Sequence, residues 1–279
     1  MKILGIFGWP IEHSLSPAMH NAAIKKMGLD YVYIPFNIKP SQLKTAVESI
    51  RVLNIAGVNI TIPHKENVIK FLDKISDEAK KIGAVNTIVN RNGFLSGYNT
   101  DHYGFVKSIE GKTTVKNKTV FMLGCGGVAK AIAYALIKSG IKKLVVSDII
   151  KQRMKKFVSK CLHFCNTQCK LLGIEVNKSS HHILQSDIFI NATPIGMDKK
   201  DASPINKKLL RKDMFVYDVI YNRQTQLIKD AKKVGAPFSD GLDMLIYQGM
   251  KSFELWTGKK PPIEIMRQVI TTKIQSSHR

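Results

Sequence analysis

Short apolar runs alternate along this chain with stretches whose apolar residues recur every three or four positions. That pattern predicts strands and helices in turn, an α/β protein with largely parallel sheets. The first half predicts a strand at KILGIFG, a helix from about Pro17 with Ser16 as its N-cap, and a strand at YVYIPFN. A helix from about Ser41 and a strand at GVNITIP come next, then helical stretches over 66–72 and 76–82. AVNTIVNRNGFLSGYN predicts a hairpin.

A second unit opens near Thr119. TVFMLGCGGVAKAIAYALIKSGIKKLVVSD predicts a buried strand, a glycine turn, an apolar-faced helix ending at Gly140, and a second strand ending at Asp148. SDIFINATPIG and MFVYDVIY predict further strands, and the chain from Gly241 onward is helical with a break at TGKKPP. The turn itself carries chemistry. Gly124, Gly126 and Ala129 fit G-x-G-x-x-A between a strand and a helix, with an acidic residue at the expected distance. Glycines there let backbone approach a pyrophosphate, whose charge the helix N-terminus favours. A dinucleotide site is the firmest inference that the residues alone allow.

Composition narrows the class. Hydrophobic residues are 44% of 279, ordinary for a globular protein, and no apolar run approaches the roughly 20 residues of a membrane span. The N-terminus reads as a first strand rather than a signal peptide, and four cysteines make no disulfide framework, which predicts a reducing cytoplasm. Lys+Arg number 43 against 21 Asp+Glu, a formal charge of +22. The lysines are scattered in ones and twos without a zinc-finger or aromatic RNA-binding signature, so they predict a solvated surface that attracts small anions, with no nucleic-acid partner.

The second candidate site lies in the first half. In NITIPHKENV, Asn59, Thr61 and Pro63 alternate with Ile60 and Ile62, so an amide and a hydroxyl share one face of an extended segment that leads to Lys65. Such a hydrogen-bonding face suits a polyhydroxylated ligand, although Lys65 taken alone reads as a surface lysine. Asp101 in GYNTDHYG is another polar residue beside an apolar strand end. Ser14 and Ser16 in EHSLSPAMH are explained equally well as turn and cap residues. His13, His64 and His102 flank this region. Cys161, Cys165 and Cys169 recur with His163 at helical spacing, but not in a zinc pattern, and read as apolar packing; Cys125 reads as a small filler.

Eight segments resemble, in order, the successive motifs of shikimate dehydrogenases: GWPIEHSLSPAMHNAA, GVNITIPHKENV, GAVNTIV, GYNTDHYGF, GCGGVAKA, INATPIGM, YDVIYN and DGLDMLIYQGMKSFELWTG. The resemblance covers nearly the whole chain up to about Pro262. It implies a substrate domain over 1–103, a Rossmann domain over 104–240, and helices over 241–279 that return to the substrate domain, with the active site in the cleft between. It implies reversible reduction of 3-dehydroshikimate to shikimate with Lys65 and Asp101 as the catalytic pair. Ser14 and Ser16 would hold the substrate carboxylate. Asn59, Thr61, Asn86, Asp101 and Gln248 would surround the ring hydroxyls, and Tyr221 would approach from the cofactor side. The cofactor residues would be Gly124, Gly126, Gly127, Val128 and Ala129 of the turn, Asp148, Asn191, Thr193, Gly241 and Met244, the last read equally as core. The ammonium would give its proton to the developing alkoxide, so the chemistry requires no metal.

Two departures from the family pattern matter. YNRQTQL lacks the proline that commonly follows the tyrosine-asparagine pair and is one residue shorter. NADP is the family's usual cofactor, held by an arginine after an asparagine at the end of the second Rossmann strand. Here Asp148 stands for the asparagine and Ile149 for the arginine, which predicts that NAD serves at least as well as NADP, with Lys151 and Arg153 near enough to blunt the discrimination. Ser16, rather than a smaller residue, favours shikimate over the bulkier quinate. A dual quinate/shikimate dehydrogenase and a non-catalytic nucleotide- or nucleic-acid-binding relative are the alternatives. The resemblance leaves monomer and homodimer both open.

Overall fold

In the computed structural model, which describes residues 1–165 and 169–276, the strand signals resolve into two six-stranded sheets. Each belongs to its own unit, one of residues 1–104 with 246–279 and one of residues 105–245.

The first unit contains β1 (Lys2–Gly8), α1 (Ser16–Lys26), β2 (Tyr31–Asn37), α2 (Leu43–Val52), β3 (Gly57–Ile60), β4 (Lys74–Ile75), α3 (Asp77–Ile82), β5 (Thr87–Arg91), β6 (Phe94–Tyr98) and the start of α4 (Asp101–Ile109). Its sheet runs β2-β1-β3-β5-β6-β4. β1 pairs in parallel with β2 and β3, whereas β5 is antiparallel to both β3 and β6. The β5–β6 hairpin falls within the predicted stretch and turns on Asn92 and Gly93, both at positive φ. Val47, Ile50, Val58, Ile60, Val68 and Ile88 form the centre of its core.

Two local expectations are corrected. Leu15, not Ser16, stands at the N-cap of α1 and no side chain caps it; Ser14 Oγ instead accepts from Ser16 N–H at 3.3 Å. The strand expected to run through Pro63 ends at Ile60, and Ile62 is 69% exposed. Proline cannot donate to a ladder, so the chain turns over 61–65 and a short 3₁₀ helix, Asn67–Phe71, follows.

The second unit holds β7 (Thr119–Leu123), α5 (Gly127–Lys138), β8 (Lys143–Ser147), α6 (Lys151–Leu162), β9 (Lys170–Gly173), α7 (Ser179–Leu184), β10 (Ile188–Asn191), β11 (Phe215–Asp218), α8 (Gln226–Val234) and β12 (Phe238–Ser239). Its sheet is parallel throughout, in the order β12-β11-β10-β7-β8-β9. That is the doubly wound arrangement of a Rossmann fold, with the order reversing between β7 and β10. Alternate strand residues bury on opposite faces. Val120, Met122, Ile188, Ile190 and Tyr217 join one core, and Phe121, Val145, Phe189 and Val216 join the other. Burial on both faces explains why these strands read as continuous apolar runs. Met244 packs in the first of these cores, as does Cys161. Burial pushes the Cys125, Cys161 and Cys169 thiols up to about 12, as suits apolar packing rather than nucleophilic use.

The chain passes to the second unit within α4 and leaves it within α9 (Leu242–Thr257), after which α10 (Ile263–Ser276) packs on α1. Trp256 anchors the C-terminal segment in the first unit, its indole N–H donating to Ile88 O at 2.9 Å.

Candidate active site

In the first unit the turn after β3 is held from two sides. Val85 N–H donates to Lys65 O at 2.8 Å. His64 is buried, with Nε2 at 2.6 Å from Ile38 O. So fixed, the turn carries Lys65 Nζ to 2.7 Å from Asp101 Oδ2, the side chains 16% and 7% exposed. Asp101 opens α4, and its backbone N–H donates to Asn99 Oδ1 at 3.1 Å. Its other oxygen, Oδ1, accepts from Asn86 Nδ2 at 2.9 Å. One carboxylate thus holds an ammonium on one side and an amide on the other.

Asn86 is itself fixed. Its Oδ1 accepts from Thr100 N–H at 2.7 Å and from Thr87 Oγ1 at 3.0 Å, and its Nδ2 reaches Gln248 Oε1 on α9 at 3.3 Å. Asn59 stands behind this group, only 5% exposed. Its Nδ2 donates to Asn86 O at 3.1 Å and lies within hydrogen-bonding reach of Thr87 and Ser252 hydroxyls, while its Oδ1 accepts from Tyr33 Oη at 2.7 Å. Thr61 is half-buried at the start of the turn, Ser14 half-buried before α1, and Ser16 buried. Tyr33, Thr87, Thr100 and Ser252 are absent from the sequence-based candidates, although signals pointed to the last three. Thr87 and Thr100 adjoin candidates in the chain, and Ser252 lies one helical turn beyond Gln248 on the same face.

The second unit contains the glycine turn. Gly124 has φ +102°, and a Cβ on it would lie 2.7 Å from Ala192 O, so the β7–α5 turn can close only with glycine there. Gly126 caps α5 without a side-chain bond, and a Cβ on it would meet nothing within 4 Å. This open, Cβ-free helix N-terminus, with Gly127 and Val128 in its first turn and Ala129 buried behind, fits the pyrophosphate of a dinucleotide. Asp148 closes the turn from below. It accepts from Cys125 N–H at 3.0 Å through one oxygen and from Ile150 N–H at 2.8 Å through the other, with Arg153 at 3.6 Å.

Beside Asp148 lies a cavity of about 360 Å³ whose lining includes Ile149, Lys151, Glu175 and Val176. The side chain at 149 is an exposed isoleucine rather than a cation, and Lys151 is paired with Glu175. At the far strand ends Asn191 is buried and donates to Asp218 Oδ1 at 2.9 Å, while Thr193 Oγ1 donates back to Asn191 Oδ1 at 2.6 Å. Gly241 leaves no room for a side chain, since a Cβ would lie 2.1 Å from Val219 O. The shortened loop after β11 still closes: Thr225 caps α8 and donates to Asp218 Oδ2 at 2.7 Å. Half-buried Tyr221 lies in that loop, its phenol pushed up by desolvation.

With these groups in place, comparison with known proteins is informative. The family profile for the shikimate dehydrogenase substrate binding domain matches residues 6–88, and that for the shikimate 5'-dehydrogenase C-terminal domain matches residues 241–271. A protein of Methanosphaera stadtmanae named shikimate dehydrogenase (NADP(+)) is 43% identical over 276 residues, which cover 98% of this chain and 97% of that protein. A crystal structure of a shikimate dehydrogenase in complex with NADP+ superposes with a TM-score of 0.91 at 41% identity, covering 98% of this chain and 96% of the other. A shikimate 5-dehydrogenase from Listeria monocytogenes in complex with shikimate and NAD gives 0.89 at 34% identity, covering 97% and 96%.

Proposed function

We infer the activity of this chain from its kinship: it belongs to the shikimate dehydrogenase family. It is a nicotinamide-dependent oxidoreductase of two α/β units, and it interconverts 3-dehydroshikimate and shikimate. The observation that carries the chemistry is the Lys65–Asp101 pair, 2.7 Å apart and nearly enclosed, at the end of a strand whose neighbours are hydrogen-bonding side chains.

The dinucleotide, when bound, supplies or accepts the hydride. The protein's part is the proton and the grip. In our reading Lys65 gives a proton from Nζ to the ketone oxygen as it becomes an alkoxide, and takes it back in the oxidation. A positive charge beside that oxygen also stabilises it where water is largely excluded. Asp101 holds the ammonium in line through Oδ2, and Asn86 holds Asp101. Ser14 and Ser16 receive the carboxylate, Thr61, Asn86 and Gln248 the ring hydroxyls, and Tyr221 is a further substrate-binding residue. Gly124, Gly126, Gly127, Val128 and Ala129 take the pyrophosphate, and the cavity beside Asp148 takes the adenosine end. NADP is the cofactor named for the relatives. With no cation at Ile149 and a carboxylate at 148, NAD serves this chain at least as well.

The test is a spectrophotometric assay of the purified protein with shikimate and each cofactor in turn. Turnover of shikimate is expected with both. No turnover with either overturns the activity, and a strong preference for NADP overturns the reading of residue 148 alone.

A further inference from the structure

Resting on the reading of Lys65–Asp101 as the catalytic pair, we propose that a buried file of hydroxyls and amides joins the carboxylate end of the substrate site to that pair. The file runs from Tyr33, beside Ser16, through Asn59 and the Thr87, Ser252 and Thr100 hydroxyls to Asn86. Tyr33, Thr87 and Ser252 are its positioning residues.

Main-chain groups fix its direction. Asn59 Nδ2 lies 3.1 Å from Asn86 O, a carbonyl that can only accept, so the amide nitrogen must face it and the amide oxygen must face Tyr33. Tyr33 therefore donates, at 2.7 Å. Likewise Thr100 N–H can only donate, so its partner at 2.7 Å is the oxygen of Asn86, and the Asn86 NH₂ is turned toward Asp101. Between the two amides the hydroxyls close up, Thr87 to Ser252 at 2.7 Å and Thr100 to Ser252 at 3.1 Å. Tyr33 is pinned as well. Its ring stacks on His20 with centroids 4.4 Å apart, and burial drives that imidazole down to about 3, so it stays neutral. Burial also raises the Tyr33 phenol well above its usual range, an effect opposed by the Ser16 hydroxyl.

The members are almost sealed from solvent: Thr87 and Ser252 are 0% exposed, Thr100, Asn86 and Tyr33 2%. Desolvating so many polar groups contributes little net stability that apolar packing could not supply, whereas their directional bonds fix an orientation. The orientation fixed here is that of Asn86, and through it the Asp101 carboxylate and the Lys65 ammonium.

The experiment compares Tyr33→Phe, Thr87→Val and Thr87→Ser with Ser16→Ala and Lys65→Ala by steady-state kinetics, thermal unfolding and equilibrium cofactor binding. Tyr33→Phe and Thr87→Val are expected to lower kcat about tenfold, the scale of one well-placed hydrogen bond, with cofactor binding unchanged. Thr87→Ser, which keeps the hydroxyl and loses a methyl, is expected to stay within about twofold of wild type. Ser16→Ala combined with Tyr33→Phe is expected to cost less than the product of the two single losses. If Thr87→Val does not fold, Ser252→Ala breaks the same link.

Unchanged kcat in Tyr33→Phe and Thr87→Val overturns the proposal, as does Thr87→Ser falling as far as Thr87→Val, or strictly multiplicative losses. In those cases a collapsed Lys65→Ala leaves the catalytic pair standing. Near-normal turnover in Lys65→Ala overturns the pair and the file together.

Discussion

Lys65 and Asp101 are 36 positions apart in the chain and 2.7 Å apart in the fold. Because the ammonium is the proton donor in our reading, Lys65→Ala is expected to lower turnover at least ~100-fold while shikimate still binds, the range of lost general acid–base catalysis. Steady-state kinetics with shikimate titration checks this, and near-normal kcat removes Lys65 from the mechanism. Asp148 has a more mixed role than its position suggests. Its two oxygens bond the N–H groups of Cys125 and Ile150, so it shapes the glycine turn as well as presenting a charge. An asparagine has one acceptor oxygen and keeps one of those bonds. Asp148→Asn is therefore expected to weaken both cofactors, NAD more than NADP, raising the NADP:NAD ratio of kcat/KM about fivefold or more as the charge leaves. A ratio that stays put exonerates the residue.

At the scale of elements, the ends of β10 and β11 are tied by one carboxylate. Asp218 accepts from Asn191, Thr225 and Ile220 N–H, yet desolvation outweighs those bonds and lifts it to about 6 from an ordinary value near 3.8. Between those values the folded protein keeps a proton that the unfolded chain has released. Stability therefore falls as pH rises through that window, and the full cost, on the order of 2–3 kcal/mol, is present at pH 7. Asp218→Asn can keep the acceptor bonds of one oxygen and donate to Thr225 with the other group. Its Tm is expected to match wild type near pH 4 and to exceed it by several degrees at pH 7. A Tm difference that does not grow with pH contradicts the shift. The elements themselves were legible where their signals are local. The glycine turn between β7 and α5, the β5–β6 hairpin and the two-sided strands lie in the stretches whose local signals predict them. The end of β3 at Ile60 was not, because the apolar/polar alternation continues past the point where proline stops the ladder.

Over the whole molecule the formal charge of +22 is spread rather than concentrated in a tract. A field of that sign raises the capture rate of anionic substrate and cofactor and is screened by salt. From about 10 mM to about 150 mM salt, kcat/KM for shikimate is expected to fall severalfold while kcat holds, the Debye length shrinking from ~30 to ~8 Å. A flat kcat/KM would mean that the surface lysines do no steering. The sequence alone determined the class of fold, the dinucleotide turn and the motifs that carry the family resemblance, because periodicity, glycine placement and short motifs are written in neighbouring residues. Only the tertiary structure decided what surrounds Lys65 and Asp101. Asn59 meets Tyr33 from 26 residues away and Ser252 from 193, and no local pattern encodes such a meeting. It arises when α9 returns to the first unit and apolar packing, anchored by Trp256, brings buried hydroxyls within bonding distance of strand ends whose unpaired polar groups need partners.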